Sequence, residues 1–153
     1  MRKVQTVGYA AVGLHSPRNP LNVGAALRAA SCFGVSLVAI TGRRYKPQRT
    51  DTARTHLLIP VIHVADLRDV IPYDCVPVAV ERRDDAQPLP AYVHPDRAFY
   101  IFGPEDGSLG PDVLRWCRDL VSIPTHYSLN LAAAVNVVLY DRVAKCSLSR
   151  PPD

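Results

Sequence analysis

Short apolar stretches alternate with polar, turn-rich segments along most of the chain. Four stretches are apolar at nearly every position, which is typical of central strands in a parallel sheet. They are residues 6–14, 37–40, 75–80 and 97–102. After the first stretch, a turn-rich loop leads into a helix that we expect to end at about Phe33, because Gly34 is a natural C-terminal stop. Strand, helix and strand in this order predict a βαβ unit.

Weaker patterns predict the remaining elements. Short strands are expected at 61–64 and 120–123, and a short helix at 65–71. Pro111 suits the first position of another helix, which we expect to reach about Cys117. The proline-containing segment 82–95 is expected to be a loop. Alternating strands and helices predict an α/β fold, with a mostly parallel sheet sandwiched by helices.

The segment 121–140 is the most unusual part of the chain. An apolar strand stops at Pro124, a polar turn follows, and the helix after it is apolar on nearly every side. Such a helix must be buried all round. The fold core can cover one side only, so we expect a second copy of the chain to cover the other. We expect one domain over residues 1–147 and a frayed tail at 148–153.

Composition and charge narrow the function only slightly. The chain is 48% hydrophobic and 21% charged, as ordinary globular domains are. No apolar run reaches membrane-spanning length and no leader pattern is present, which favours a cytoplasmic protein. The net charge of +4 leans modestly towards a polyanionic partner. Neither the four cysteines nor the five histidines have metal-ligand spacing, so we expect no metal.

Three loops that follow predicted strands carry the candidate chemistry, because ligands bind at the carboxyl ends of strands in open α/β sheets. In the first loop and its helix, Arg28 would share a face with the small residues Gly24, Ser31 and Cys32, so a ligand or backbone could approach there. The alternative is a solvated surface arginine. Asn22 has its own alternative, a helix N-cap.

The other two loops have alternatives of the same kind. The glycine-rich segment 103–110 allows close backbone approach, but its spacing matches no phosphate or nucleophile fingerprint, so it can also be a simple turn. In the third loop, Ser128 can cap the last helix, which would leave Asn130 as an ordinary first-turn residue. The basic segment 41–55 is either a solvated loop or a surface that contacts phosphate.

Taken together and in this order, the motifs resemble the SpoU/TrmH branch of the SPOUT superfamily of RNA methyltransferases. The resemblance rests on Asn19-Pro20-x-Asn22-x-Gly24-x-x-x-Arg28 with Phe33-Gly34, on Phe102-Gly103-Pro104-Glu105, and on Ile123-Pro124 followed by Ser128-Leu129-Asn130. It covers nearly the whole chain. With no flanking RNA-binding domain, the chain looks like the minimal tRNA 2′-O-methyltransferases of that branch, some of which modify the anticodon wobble nucleotide.

The resemblance implies an α/β knot, in which the C-terminal segment threads through a preceding loop to form a deep trefoil. It also implies a homodimer through the first and last helices. The cofactor implied is S-adenosylmethionine, held mostly by backbone groups of the knot loops. The corresponding residues here are Phe102, Gly103, Glu105, Gly107, Ile123, Pro124, Ser128, Leu129 and Asn130.

By the same resemblance, Arg28 is the principal catalytic residue, surrounded by Asn22, Glu105, Ser128 and Asn130. The family arginine has been proposed as a general base, but a guanidinium is nearly always a cation. A less demanding role is to hold the RNA phosphate and stabilise the developing 2′-oxyanion. Glu105 is expected to pair with Arg28 or with Asn22. The basic residues expected to contact RNA are Arg18, Arg43, Arg44, Lys46 and Arg49.

One departure from the family pattern concerns the turn between Pro124 and Ser128, which contains only Thr125, His126 and Tyr127. Close relatives carry a longer loop that wraps the adenosine, so a more open cofactor site is expected here. Two rival interpretations remain within this fold: an rRNA 2′-O-methyltransferase, and a non-catalytic RNA-binding protein that kept the fold. A third rival is an unrelated flavodoxin-like or nucleotide-binding domain.

Overall fold

A computed structural model describes residues 8–148; the start of the first expected strand and the expected tail from residue 149 lie outside the described residues. The chain forms a seven-stranded sheet in the order β3-β2-β1-β6-β4-β7-β5, and its six strand pairs are parallel. The strands are β1 Tyr9–Leu14, β2 Leu37–Ile40, β3 Val61–His63, β4 Val76–Val80, β5 Gln87–Pro88, β6 Arg97–Phe102 and β7 Asp119–Ser122. The α-helices are α1 Pro20–Cys32, α2 Pro111–Leu114 and α3 Leu131–Leu148.

Both faces of the sheet are covered, so the expected parallel α/β sandwich is confirmed. Successive side chains of a strand point to opposite faces. Val12 of β1 and Tyr100 of β6 are paired in register and belong to the core under α1 and α3. Ala11 and Phe99, the preceding pair, belong to the second core, under α2 and a 3₁₀ helix at Leu67–Val70.

Two sequence predictions were wrong in detail. The segment 82–95 contains β5 and a 3₁₀ helix at Leu89–Ala91 in place of a plain loop. Proline lacks a backbone N–H and is tolerated at sheet edges, so Pro88 can sit in this edge strand. The helix that begins at Pro111 ends at Leu114, because the chain then tightens into shorter turns that let the N–H of Arg118 bond to the carbonyl of Pro77.

Helix α3 is buried on one side only. Val135, Val138 and Leu139 are almost fully buried against the sheet and α1. On the opposite side, Val137 is 38% exposed and Tyr140 is 64% exposed. The expectation that the fold core covers one side is therefore confirmed, while a covering second copy stays a prediction. No helix within residues 8–148 combines the length and apolarity needed to cross a bilayer.

The buried Arg142 fixes the second half of α3 to the amino end of the sheet. One guanidinium nitrogen, Nη1, donates to the carbonyl of Pro95 (2.6 Å) and to the hydroxyl of Tyr100 (3.1 Å). The other, Nη2, donates to the carbonyl of Asp96 (2.9 Å). The carbonyl of Asp96 also accepts from the N–H of Tyr9 (2.8 Å), so the guanidinium joins α3 to a carbonyl that already holds the start of β1.

Candidate functional site

Three loops that follow β1, β6 and β7 lie at one edge of the sheet. They comprise residues 15–19, 103–110 and 123–130. All carboxyl ends of a parallel sheet point to the same edge, which is why segments so far apart in sequence come together. These are the three loops in which the sequence placed the candidate chemistry.

The carboxylate of Glu105 connects the second loop to the first. Its Oε2 accepts a hydrogen bond from the backbone N–H of Arg18 (3.0 Å), and its Oε1 accepts from the N–H of Asn19 (3.3 Å). Oε1 also accepts from the side-chain amide of Asn22 (3.2 Å). Of the two expected partners of Glu105, the structure therefore selects Asn22 and not Arg28.

Asn22 extends this connection to the third loop. Its Oδ1 accepts a hydrogen bond from Nδ2 of Asn130 at 2.8 Å. Glu105, Asn22 and Asn130 thus form a continuous chain of hydrogen bonds that joins the first turn of α1 to the second and third loops. We refer to these three residues as the loop bridge.

The charge state of Glu105 suits this role. Partial burial alone would raise the pKa of the Glu105 carboxyl, but hydrogen bonds from the backbone N–H of Arg18, the amide of Asn22 and the N–H of Asn19 outweigh it. The net effect holds the pKa of Glu105 below its ordinary value. Glu105 is therefore an anion at neutral pH and acts as an acceptor only.

The sequence offered Asn22 and Ser128 as possible N-caps of the first and last helices, and the structure shows other residues in both positions. Asn19, not Asn22, caps α1, because its side chain accepts from the N–H of Leu21 (3.0 Å). Asn130, not Ser128, caps α3, because its Oδ1 accepts from the N–H of Ala132 (2.8 Å). The side chain of Asn22 is therefore available for the loop bridge, while Ser128 remains exposed at the site.

A cavity of about 450 Å³ opens at the carboxyl ends of β4, β6 and β7. The expected cofactor residues that line it are Phe102, Gly103, Glu105, Gly107, Ile123, Ser128 and Leu129. The other two expected residues, Pro124 and Asn130, adjoin this lining in sequence without forming part of it. Glu105 therefore belongs both to the lining of the cavity and to the loop bridge.

The cavity wall that follows β4 was not predicted from the sequence. Val80, Glu81, Arg82, Arg83 and Asp84 all line the cavity. The carboxylate of Glu81 accepts from the N–H of Leu109 (3.1 Å) and so anchors the glycine-rich loop. Arg82 donates to the carbonyl of His126 (3.1 Å) and so fixes the short turn. The signal that could have indicated this wall is the charged run directly after an apolar strand.

The size and the lining of this cavity fit a compact ligand with both apolar and charged groups. Its volume lies within the range of about 300–1,000 Å³ that small-molecule sites occupy. Val80, Phe102, Ile123 and Leu131 supply apolar surface, and side chains of both charges stand beside it. Within residues 8–148, no group of His, Cys, Asp and Glu side chains is arranged to hold a metal ion.

Arg28 lies outside this cavity lining. It is exposed on α1, and no side chain in the described part of the chain forms a hydrogen bond or ion pair with it. Gly24 was expected to leave space for a ligand or a backbone segment. In the structure, residues 48–51 of the same chain occupy that space. A Cβ there would lie 2.7 Å from Cβ of Gln48 and 3.1 Å from the backbone nitrogen of Asp51.

The five basic residues expected to contact RNA are all exposed at or near this edge: Arg18, Arg43, Arg44, Lys46 and Arg49. Arg18 forms an exposed ion pair with Asp106 (2.7 Å). The other four lie on the loop after β2, whose Tyr45 hydroxyl donates to the carbonyl of Pro17 (2.8 Å). The basic loop is therefore attached to the first loop of the site.

Comparison with known proteins agrees with the fold described above. The chain superposes on the SpoU methyltransferase AviRb from Streptomyces viridochromogenes with a TM-score of 0.81 at 20% identity, covering 93% of this chain and 61% of that one. For the A. aeolicus TrmH/SpoU tRNA modifying enzyme, the TM-score is 0.82 at 18% identity, covering 94% and 77%. For an AdoMet-bound rRNA methyltransferase from Sinorhizobium meliloti, the TM-score is 0.78 at 23% identity, covering 90% of this chain and 57% of that one.

These structural likenesses establish the fold. The chain spans less than two thirds of the length of AviRb. No curated protein sequence matches it significantly. The sequence profile of the SpoU rRNA Methylase family matches residues 9–140, from β1 through most of α3. Since that match covers most of the chain and includes all three loops of the site, the chain belongs to the SpoU rRNA methylase family.

Proposed function

We propose that this protein transfers a methyl group from S-adenosylmethionine to a ribose 2′-hydroxyl in RNA. The observation that carries the proposal is the 450 Å³ cavity that shares Glu105 with the loop bridge, in a chain of this family. Transfer RNA is the favoured substrate, and the anticodon wobble nucleotide the favoured site. This chain covers 77% of the A. aeolicus tRNA modifying enzyme but only 57% of the S. meliloti rRNA methyltransferase.

The residues of the cavity suit S-adenosylmethionine, and the AdoMet-bound relative supports this assignment. Phe102, Ile123 and Leu129 offer apolar surface to its adenosine, while Gly103 and Gly107 keep the loop backbone accessible. The cofactor, when bound, supplies a methyl group activated by a positive sulfonium. Apolar walls that exclude water favour a step in which charge is neutralised. Ser128 also lines the cavity, and its exposed side chain would orient the bound molecules.

Arg28 is the proposed catalytic residue. Its guanidinium is exposed and has no partner among the described residues, so it is available to an RNA phosphate. There it would stabilise negative charge on the 2′-oxygen, or accept its proton once the phosphate has taken one from the guanidinium. Asn22 and Asn130 are positioning residues, because their side chains hold the start of α1 and of α3 together. Glu105 fixes both to the cavity wall.

A homodimer through α1 and α3 completes the proposal. Leu21 and Arg28 share the exposed stripe of α1, and Val137 and Tyr140 are exposed on α3. The rings of Phe33, just after α1, and Tyr140 of α3 meet edge to face at 6.5 Å, so the two helices adjoin at this surface. Burying this surface against a second copy would place Arg28 in the interface, where it can act beside the partner's cavity.

The dimer is tested by introducing a charge into this surface. Tyr140→Asp is expected to shift the sedimentation of the protein from dimer to monomer. Val93→Asp is the matched control, because Val93 is 84% exposed and lies on neither helix. A wild-type protein that sediments as a monomer, or a Tyr140→Asp variant that stays dimeric, would contradict the interface.

A trefoil knot is proposed for the backbone. The C-terminal segment contributes residues to the same cavity as the loops after β4 and β6, so it lies beside preceding loops through which it would thread. An experimental structure traced continuously from β1 to α3 tests the knot. A trace that opens into a straight line when its ends are pulled would exclude it.

The function is tested by mapping 2′-O-methylated sites in total RNA from cells with and without the gene. We expect one site, in a transfer RNA, to lose its methyl group. Loss of a ribosomal RNA site would instead identify the rRNA alternative. Calorimetry with S-adenosylhomocysteine decides whether the cofactor site works, and RNA binding without cofactor binding would identify the non-catalytic alternative.

A further inference from the structure

A second cavity, of about 230 Å³, opens at the carboxyl ends of β2 and β3. Apolar side chains from three elements form its walls: Val23 and Leu27 of α1, Ile40 of β2, and Val61 of β3. Arg43, Arg44 and Lys46 line it from the loop that follows β2. We call this space the basic pocket. In the sheet order it is separated from the 450 Å³ cavity by β1.

Contacts with α1 hold the basic pocket in shape. The hydroxyl of Thr50 donates to the carbonyl of Leu21 (2.7 Å), and the hydroxyl of Thr55 donates to the carbonyl of Leu27 (3.0 Å). Gly24 lies between these two positions and lets residues 48–51 pack directly on the helix. A pocket fixed at so many points needs little ordering when a ligand binds.

The charges around the basic pocket favour an anion at its mouth. Arg43, Arg44 and Lys46 are all exposed cations. The carboxylate that faces them belongs to Asp51, which already accepts hydrogen bonds from the N–H (2.8 Å) and the hydroxyl (2.7 Å) of Thr55. An anion at the mouth therefore meets three cations, while the single carboxylate is buried and occupied by other bonds.

The apolar walls indicate that the ligand is more than a bare phosphate. Phosphate alone gains nothing from contact with Val23, Leu27 or Ile40, whereas a nucleobase gains both burial and dispersion. A volume of 230 Å³ is below the usual range of about 300–1,000 Å³ for larger ligands, and so favours a single base. Proteins that read single-stranded RNA bind splayed bases in this way.

We infer that the basic pocket binds one nucleotide of the substrate RNA, different from the nucleotide that is methylated. The base lies against the apolar walls, and its phosphate lies on Arg43, Arg44 and Lys46. Neighbouring strands are about 4.8 Å apart, so the two cavities are roughly 10 Å apart at their nearest strands, β2 and β6, and about 17 Å apart between their centres. The second nucleotide is therefore close to the first in sequence, and the pocket selects the sequence context. This inference rests on the proposed function.

The first experiment observes the pocket directly in the full-length protein. Methyl groups of Ile, Leu and Val are followed by NMR, with S-adenosylhomocysteine at saturation, while 5′-AMP, GMP, CMP and UMP are added separately. We expect at least one mononucleotide to shift the methyl NMR signals of Val23, Leu27 and Ile40. Inorganic phosphate is the control. If phosphate alone produces the same shifts, or if no mononucleotide shifts these three residues, the inference is wrong.

The second experiment separates the base from the phosphate. Val61→Phe fills the pocket without changing charge, and we expect it to weaken binding of a transfer RNA pool about tenfold with the salt dependence unchanged. Arg43→Gln/Arg44→Gln is expected to weaken binding and to reduce the salt slope, by about 0.7 per lost phosphate contact. Arg115→Gln/Arg118→Gln removes the same charge from a region outside both cavities, and is the matched control.

The same measurements distinguish failure of this inference from failure of the proposed function. A Val61→Phe variant that keeps wild-type KM for RNA and full methyl transfer would overturn the inference and leave the function intact. If a mononucleotide shifts the methyl NMR signals of Val23, Leu27 and Ile40 but the wild-type protein transfers no methyl group, the nucleotide pocket is supported and the proposed methyltransferase activity is refuted.

Discussion

Replacing Glu105 by glutamine tests whether the loop bridge stabilises the site as its geometry suggests. In the native protein, one carboxylate oxygen accepts from Arg18 and the other from both Asn19 and Asn22. A glutamine has only one oxygen. In either orientation of its amide, at least one backbone N–H faces another donor and loses its bond.

The expected cost follows from these contacts. An unpaired buried donor costs about 1–3 kcal/mol, and the lower end applies because Glu105 is only half-buried and the Arg18 bond is exposed. We therefore expect Glu105→Gln to lose about 1 kcal/mol of unfolding free energy. For a chain of this size, this corresponds to a fall of roughly 2–4 °C in Tm at pH 7.

The pH dependence provides the decisive assay. Because the pKa of Glu105 is lower in the folded protein than in the unfolded chain, its stabilisation is present above the unfolded pKa and is lost as pH falls through the folded pKa. The Tm difference between wild type and Glu105→Gln should therefore shrink as pH falls from 7 towards about 3.

Asp106→Asn is the matched control for this prediction. It removes the same charge from the next residue, but the Asp106 partner is an exposed arginine, Arg18, so we expect almost no change in Tm. A Tm difference for Glu105→Gln that does not change with pH would refute the reasoning. An equal loss in Asp106→Asn would refute it as well.

Three further predictions concern single substitutions. Arg28→Ala should abolish methyl transfer while leaving Tm within about 1 °C of wild type, because the exposed side chain has no partner among the described residues; a large fall in Tm would indicate a structural role instead. Gly24→Ala should displace residues 48–51 and weaken transfer RNA binding several-fold, with S-adenosylhomocysteine affinity unchanged in calorimetry. Arg142→Met should lower the urea midpoint by the equivalent of about 2 kcal/mol or more, since the hydrogen bonds of the guanidinium to Pro95, Asp96 and Tyr100 are lost, and an unchanged midpoint would contradict that account.

The sheet and the location of the site could be predicted because both follow from local patterns. Uninterrupted apolar runs such as residues 97–102 mark strands of a parallel sheet, and every carboxyl end of such a sheet points to one edge. Polar and glycine-rich segments that follow these runs must therefore meet. The same argument applies to the charged residues 81–84, which were overlooked because no motif accompanies them.

The contacts within the site could not be predicted from such patterns. Asn22 and Asn130 are 108 residues apart, and their hydrogen bond depends on how α1 and α3 dock. Local rules also misassigned the caps, because Asn19 and Asn22 are equally good capping residues and only the backbone at Asn19 decides between them. Edge strand β5 was missed because proline reads as a strand breaker unless the edge position is known.

The packing of α1 against α3 has a consequence for synthesis of the protein. Helix α1 leaves the ribosome long before its covering helix, because about 100 residues separate the two and translation proceeds at roughly 5–20 residues per second. For several seconds the nascent chain exposes the apolar face of α1 and an unpaired edge of β1 that later binds β6. This interval is when a chaperone would bind, and it ends only when the last helix emerges. Substitutions that weaken α3 should therefore lower the yield of newly made protein more than the activity of molecules already folded.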